Sequence, residues 1–294
     1  MVNRSELKAL VSLLDDPDEL VYNAVKDKLL SIGEQAIPEL ENMWEFSHFE
    51  PTFQDRIVDL VHQIQFNSVK EGLKKWTEQD QDLLLGIHWI NKYQYPERTY
   101  EELHQQIDKL ARQVWLELND DLTAFETVKV FNHILFDLCG FKANKTNYHS
   151  PQNSYISDVL ESKRGNPLSL SVVYQLIASK VGVPIKGVNL PNHFILAYLD
   201  TRLTNLAINH PDPEVLFYIN PFSLGTLINR AEIEQFLNQL KIEHEPEYFA
   251  PCGNRAIVRR MVNNLIYSYA RLGYAEKVNE LRQLESILSI DPAI

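Results

Sequence analysis

Three polar side chains, Ser169, His193 and Asn220, follow one another in an order that could do acyl-transfer chemistry. A serine hydroxyl attacks a carbonyl at neutral pH only when an adjacent base takes its proton. An imidazole is that base when a third group holds its other ring nitrogen, and an asparagine can fill the third place. Ser169 lies in "GNPLSLSVVYQLIASKVGVP", which reads as a helix over 167–181. Asn166 is a good N-cap, and Pro167 suits the first turn, where its missing N–H costs nothing. The partial positive charge of such a helix start would stabilise an anion or a thiolate, yet no cysteine stands there. Each residue also has a plain structural reading. Ser169 could satisfy a backbone donor at the helix start, His193 could be a satisfied histidine at a strand start, and Ser171 is placed worse than Ser169 for attack.

These residues need two strands and a turn to meet. "LPNHFILAY" and "LFYINPF" read as strands, with His193 opening the first and Asn220 closing the second. Antiparallel pairing would set the start of one beside the end of the other. Asn153, Ser154, Arg164, Asn166, Pro167 and Asn192 gather around the same opening turn and would line a groove. Arg164 could meet a carboxylate there, and Asn153 or Ser154 could donate hydrogen bonds or cap a short helix over 155–162. Glu161 and Arg164, three apart, suit an ion pair.

The balance of the chain limits what such a site could serve. A formal net charge of -12 argues against nucleic acid, whose phosphates call for a basic footprint. Peptides, proteins or small molecules remain as partners. No run approaches the ~18 apolar residues of a membrane span, and the start lacks the apolar region of a secretory signal. Cys139 and Cys252 form no CxxC pair, so a disulfide framework is not expected and a reducing cytoplasm is. Histidines at 48, 62, 88, 104, 133 and 149 are scattered without HExxH or paired cysteine; no metal and no cofactor is expected.

Residues 1–76 read as helices throughout, with Asp16 capping and Pro17 starting a helix whose stripe is Leu20, Val21, Ala24, Val25 and Leu29, stopped at Gly33. The Asp-Pro-Asp turn resembles a HEAT repeat, which must stack on a neighbour such as "FQDRIVDLVHQI". Over 77–150 the helices continue, and "TEQD", "TYEE" and "TAFE" each show the capping-box spacing. The core occupies 151–230, with a long connection after the strand of His193. Residues 231–294 return to helix, resembling a tetratricopeptide hairpin with Gly273 in its turn and a closing Asp-Pro.

Helix start, histidine strand and asparagine strand together resemble papain-like and transglutaminase-like cores. "NSYISDVLESKRGNPLSLSVVYQLIASKVGVPIKGVNLPNHFILAY" with "YINPFSLG" resembles, more narrowly, the bacterial SirB-type transglutaminase-like family over roughly 80–290. The resemblance implies an α+β fold, mostly helical, with a central helix on a small antiparallel sheet and helical repeat-like flanks. It also implies a cysteine two residues after Gly165, where this chain has Pro167; the SirB-type family commonly has proline there. Asn220 stands where relatives usually have aspartate, and Asn192 where many have a small residue. Two functions follow as expectations. One is a non-catalytic scaffold that binds a peptide or protein in the groove between the 167–181 helix start and the strands. The other is a hydrolase or acyltransferase using His193 and Asn220 with an unconventional nucleophile such as Ser169.

Overall fold

A computed structural model describes residues 4–46, 51–79, 81–200 and 214–289, and the chain divides into two compact units, Met1–Lys75 and Trp76–Ile294. In the first, α1 (Arg4–Ser12), α2 (Glu19–Ile32), α3 (Ile37–Phe46) and the main part of α4 (Pro51–Thr77) surround one apolar cluster. Val25 and Leu29 of α2 meet Phe53, Ile57, Leu60 and Ile64 of α4 there. Two expectations shift. The N-cap of α2 is Asp18, whose carboxylate accepts the Leu20 N–H at 2.8 Å, while Asp16 accepts the Asp18 N–H. The buried stripe is narrower than expected: Leu20 is 80% exposed and Ala24 exposed, while Val21 with Val25 and Leu29 faces inward. Gly33 ends α2 at φ 71°, a left-handed value open to glycine at no steric cost.

The second unit carries the α+β core. Its outer helices are α5 (Leu83–Gln94), α6 (Tyr100–Glu117) and α7 (Ala124–Asn132), the last prolonged by a wider π-type turn to Leu138. Thr99 with Glu102 and Thr123 with Glu126 form full capping boxes. Thr77 does not, because α4 runs on to it and α5 starts later, capped by Asp82 through the Leu85 N–H; Asp80 of that motif lies outside the described residues. The polar loop after α7 forms β1 (Lys142–Ala143), which pairs in parallel with β2 (Arg164–Gly165) across α8 (Ile156–Ser162).

The central helix is α9 (Pro167–Lys180). Every residue from Pro167 to Ala178 is buried, so the helix is covered on all sides until its last two residues, Ser179 and Lys180, and its serines and Gln175 are buried with the apolar ones. It lies on an antiparallel sheet of order β3 (Ile185–Val188), β4 (Ile195–Asp200), β5 (Glu214–Asn220) and β6 (Thr226–Ile228). Gly187 permits this approach, since a Cβ there would stand 2.6 Å from Phe194 and 3.0 Å from Gln175 of α9. Ile233 and Leu237 of α10 (Arg230–Gln239) join Ile195, Ala197 and Leu199 in a separate cluster. Strand β4 is therefore covered on both faces, which accounts for its unbroken apolar run. The connection over 201–213 lies outside the described residues, as does the closing Asp-Pro. Two paired helices complete the unit, α11 (Asn254–Leu272) and α12 (Ala275–Ser289), turned by Gly273 at φ 80°. Helix α11 packs on α5 as well as on α12.

Candidate functional site

The opening of α9 is a closed hydrogen-bond knot. Asn166 Oδ1 accepts the Ser169 N–H at 2.9 Å, and Ser169 Oγ accepts the Asn166 N–H at 3.0 Å. The Ser169 hydroxyl also contacts the Asn166 carbonyl at 3.3 Å, and the serine is 1% exposed. Asn166 Nδ2 donates to Ser154 Oγ at 3.0 Å, so Ser154 braces the turn. Ser171 donates to the Pro167 carbonyl at 2.7 Å. Asn153 ties down the polar loop: its Nδ2 donates to the Asn147 and Tyr148 carbonyls at 2.6 and 2.9 Å, and its Oδ1 accepts from Asn144. Neither Asn153 nor Ser154 caps α8, whose N-cap is Tyr155 without a side-chain bond. Arg164 is exposed on β2, and Glu161 pairs with Arg98 at 2.7 Å instead of Arg164.

His193 precedes its strand. It sits in a turn closed by its own N–H to the Leu190 carbonyl, after Asn192 at φ 58°, and β4 begins at Ile195. The register pairs Leu196 with Ile219, which brings Asn220 to the same end of the sheet. The Asn220 side chain engages the His193 ring and favours its protonated form, but burial dominates and Arg260 adds to it, so the ring's pKa is lowered. The contact is loose: Asn220 Oδ1 is buried with no well-aligned donor, while its Nδ2 reaches Ser223 Oγ at 3.3 Å. Phe222 and Phe236 flank the imidazole at 6.4 and 6.0 Å between ring centroids.

A cleft of about 590 Å³ opens beside this turn. One wall is Asn166, Pro167 and Leu168; Asn192, His193 and Phe194 form its end. The opposite wall is one face of α11, where Arg260, Asn263, Asn264 and Tyr267 recur at helical spacing, with Ser268 beside them. Tyr148 and His149 form the rim, the His149 ring 5.2 Å from that of Tyr267. On its other side His193 borders a smaller apolar hollow of about 320 Å³ lined by Ile195, Ile228, Ile233 and Phe236. Asn166, Pro167, Asn192 and His193 thus share the main cleft, while Asn220 faces the smaller hollow. Asn153, Ser154, Arg164 and Ser169 are among the lining residues of neither.

The α11 wall escaped the sequence reading. Its signal was present in "RRMVNNLIYSY", where polar residues at i, i+3, i+4 and i+7 back an apolar stripe through Ile257, Met261 and Leu265. No cysteine lines the cleft. Burial pushes the Cys252 thiol up to about 11, and that of Cys139 is raised for the same reason. Among the described residues no group of three or more His, Cys, Asp or Glu side chains could hold a metal ion, and no helix is long and apolar enough to cross a membrane.

The sequence matches the family described as the transglutaminase-like superfamily over residues 101–263, more than half of the chain. The chain belongs to the transglutaminase-like superfamily. It is 30% identical over 145 residues to a UPF0162 protein of Xylella fastidiosa, covering 47% of each chain. A UPF0162 protein of Vibrio cholerae is 24% identical over 182 residues, covering 61% of this chain and 63% of that one. F-box only protein 21 of Mus musculus is 28% identical over 159 residues, 54% of this chain but 24% of that protein. The chain spans about half the length of the Xylella relative and about a quarter of the mouse one. No solved structure matches. Here the buried helix α9, His193 and Asn220 lie close together, and Pro167 and His193 both line the cleft.

Proposed function

We propose that this transglutaminase-like domain is a non-catalytic scaffold that holds a peptide or protein segment in the cleft between the start of α9 and the polar face of α11. The observation that carries this reading is the Ser169 knot: the hydroxyl nearest the expected nucleophile position is buried and engaged on both sides with Asn166. A serine so held has no path to a substrate carbonyl in the cleft, which is lined here by Pro167 and Leu168 and not by Ser169. The SirB-type subgroup suits this reading. So do the HEAT-like helices of 1–76 and the tetratricopeptide-like helices of 231–294, which would add contact surface in a cytoplasmic protein.

A second reading has one observation in its favour: Asn220 lies beside the His193 ring, in the place of a residue that orients a general base, although no well-formed hydrogen bond joins the two. In that reading the chain is a hydrolase or acyltransferase with Ser169 as nucleophile. The two are separated by incubating the protein with a fluorophosphonate and a chloroacetamide and mapping any adduct by mass spectrometry. The scaffold reading expects no adduct on Ser169, and Ser169→Ala to bind a cleft-directed peptide library as the unchanged protein does. An adduct on Ser169 that disappears in His193→Ala would overturn it.

A further inference from the structure

The polar face of α11 holds a cation, Arg260, that no carboxylate among the described residues neutralises. Arg260 is half-buried in the cleft wall, and its Nη1 reaches only neutral acceptors, Asn189 Oδ1 at 3.3 Å and the Leu190 carbonyl at 3.5 Å. Among the described residues no carboxylate pairs with it, and its Nε and Nη2 donate to nothing. In a chain of net charge -12, several other arginines are paired: Arg98 with Glu161, Arg230 with Glu234 and Arg259 with Glu285. A guanidinium presents five N–H donors in a planar fork that matches a carboxylate two bonds at a time. Removing such a group from water without a counter-ion is unfavourable, and an arriving anion relieves it. The neighbours fit a peptide around that anion. Asn263 and Asn264 offer amides one turn away, and Tyr267 a half-exposed ring.

We propose that the cleft recognises its peptide through a carboxylate seated on Arg260. This rests on the scaffold reading above and names what that scaffold reads. The carboxylate is either a chain terminus or an Asp or Glu side chain. His193 feels the Arg260 charge, and it also faces Glu232 of α10, Asn220 of β5 and the rings of Phe222 and Phe236. A carboxylate bound beside it favours the imidazolium, which provides a readout independent of affinity.

Pools of short random peptides test this in three forms: free C-terminus without acidic residues, amidated C-terminus with Asp and Glu, and amidated C-terminus with Asn and Gln in their place. Binding to the full chain is followed by NMR of the Arg260 side chain and the His193 ring. We expect one or both acidic forms to bind and to raise the His193 titration midpoint. Arg260→Gln should weaken that binding by about 10- to 100-fold, the range for a charge-assisted fork. Asn263→Asp, an exposed change that leaves Arg260 in place, should weaken it also, by repulsion. Preference between the first two pools tells terminus from side chain. Cleft binding that is equal for the neutral pool overturns the carboxylate proposal and leaves the scaffold intact. Failure of every pool to perturb the cleft overturns both.

Discussion

The two long walls of the cleft differ in what their polar groups are doing. At the start of α9 every hydrogen-bonding group named above is engaged: Asn166 with Ser169 and Ser154, Ser169 with Asn166, Ser171 with the Pro167 carbonyl. On α11, facing it, Arg260 has an unused edge, and Asn263 and Tyr267 are exposed. The wall where a nucleophile is expected is thus built as structure, and the wall supplied by the C-terminal helices retains the capacity to bind. Polar groups at a buried turn stabilise it only when all are satisfied, and that same satisfaction removes them from chemistry.

Substitutions on the α9 side should therefore cost stability. Gly165→Ala would put a Cβ 2.5 Å from Ser169 Oγ and 3.1 Å from Leu170, inside the knot. It should cost about 1–3 kcal/mol by overpacking, read by urea denaturation. Asn166→Ala removes the cap and leaves the Ser169 N–H and Ser154 without a partner, and should cost about 1–2 kcal/mol in the same assay. A loss under ~0.5 kcal/mol would break the comparison, because the knot would then not be stabilising the turn.

A pH series sharpens it from the histidine side. Burial lowers the His193 pKa, so the fold favours the neutral ring. Above its ordinary value of 6.5 that preference costs nothing; as pH falls below 6.5 the unfolded chain takes up the proton first and stability declines. Buried His88 shifts the same way, by desolvation and then Lys92. Half-buried Asp158, raised chiefly by desolvation, works in the opposite direction at lower pH. The stability lost between pH 7.5 and 5.5 should be smaller in His193→Gln than in the unchanged protein; an equal loss would assign the decline elsewhere. The smallest effect is expected on the α11 wall, where Asn263→Ala should change stability by less than ~0.5 kcal/mol.

Much of the fold was legible in the residues. Thr99 with Glu102, and Thr123 with Glu126, mark their helix starts through bonds that span three residues, and the strand runs ended in polar residues at matching ends. Asn166 followed by Pro167 marked the start of the central helix. Local bonding decides such features, and local sequence contains all its terms. Misplacement came where two local choices competed: Asp16 or Asp18 as a cap, Thr77 as a helix end or a beginning.

What the sequence by itself determined was most of the helices, the caps built on bonds of three residues, and the two antiparallel strands that carry His193 toward Asn220. Tertiary structure alone decided which side of α9 the cleft opens on, that the polar face of α11 lines it, and that Arg260, far along the chain, stands beside His193. Those relations depend on which buried faces meet, and burial is an interaction between distant segments that no local spacing encodes.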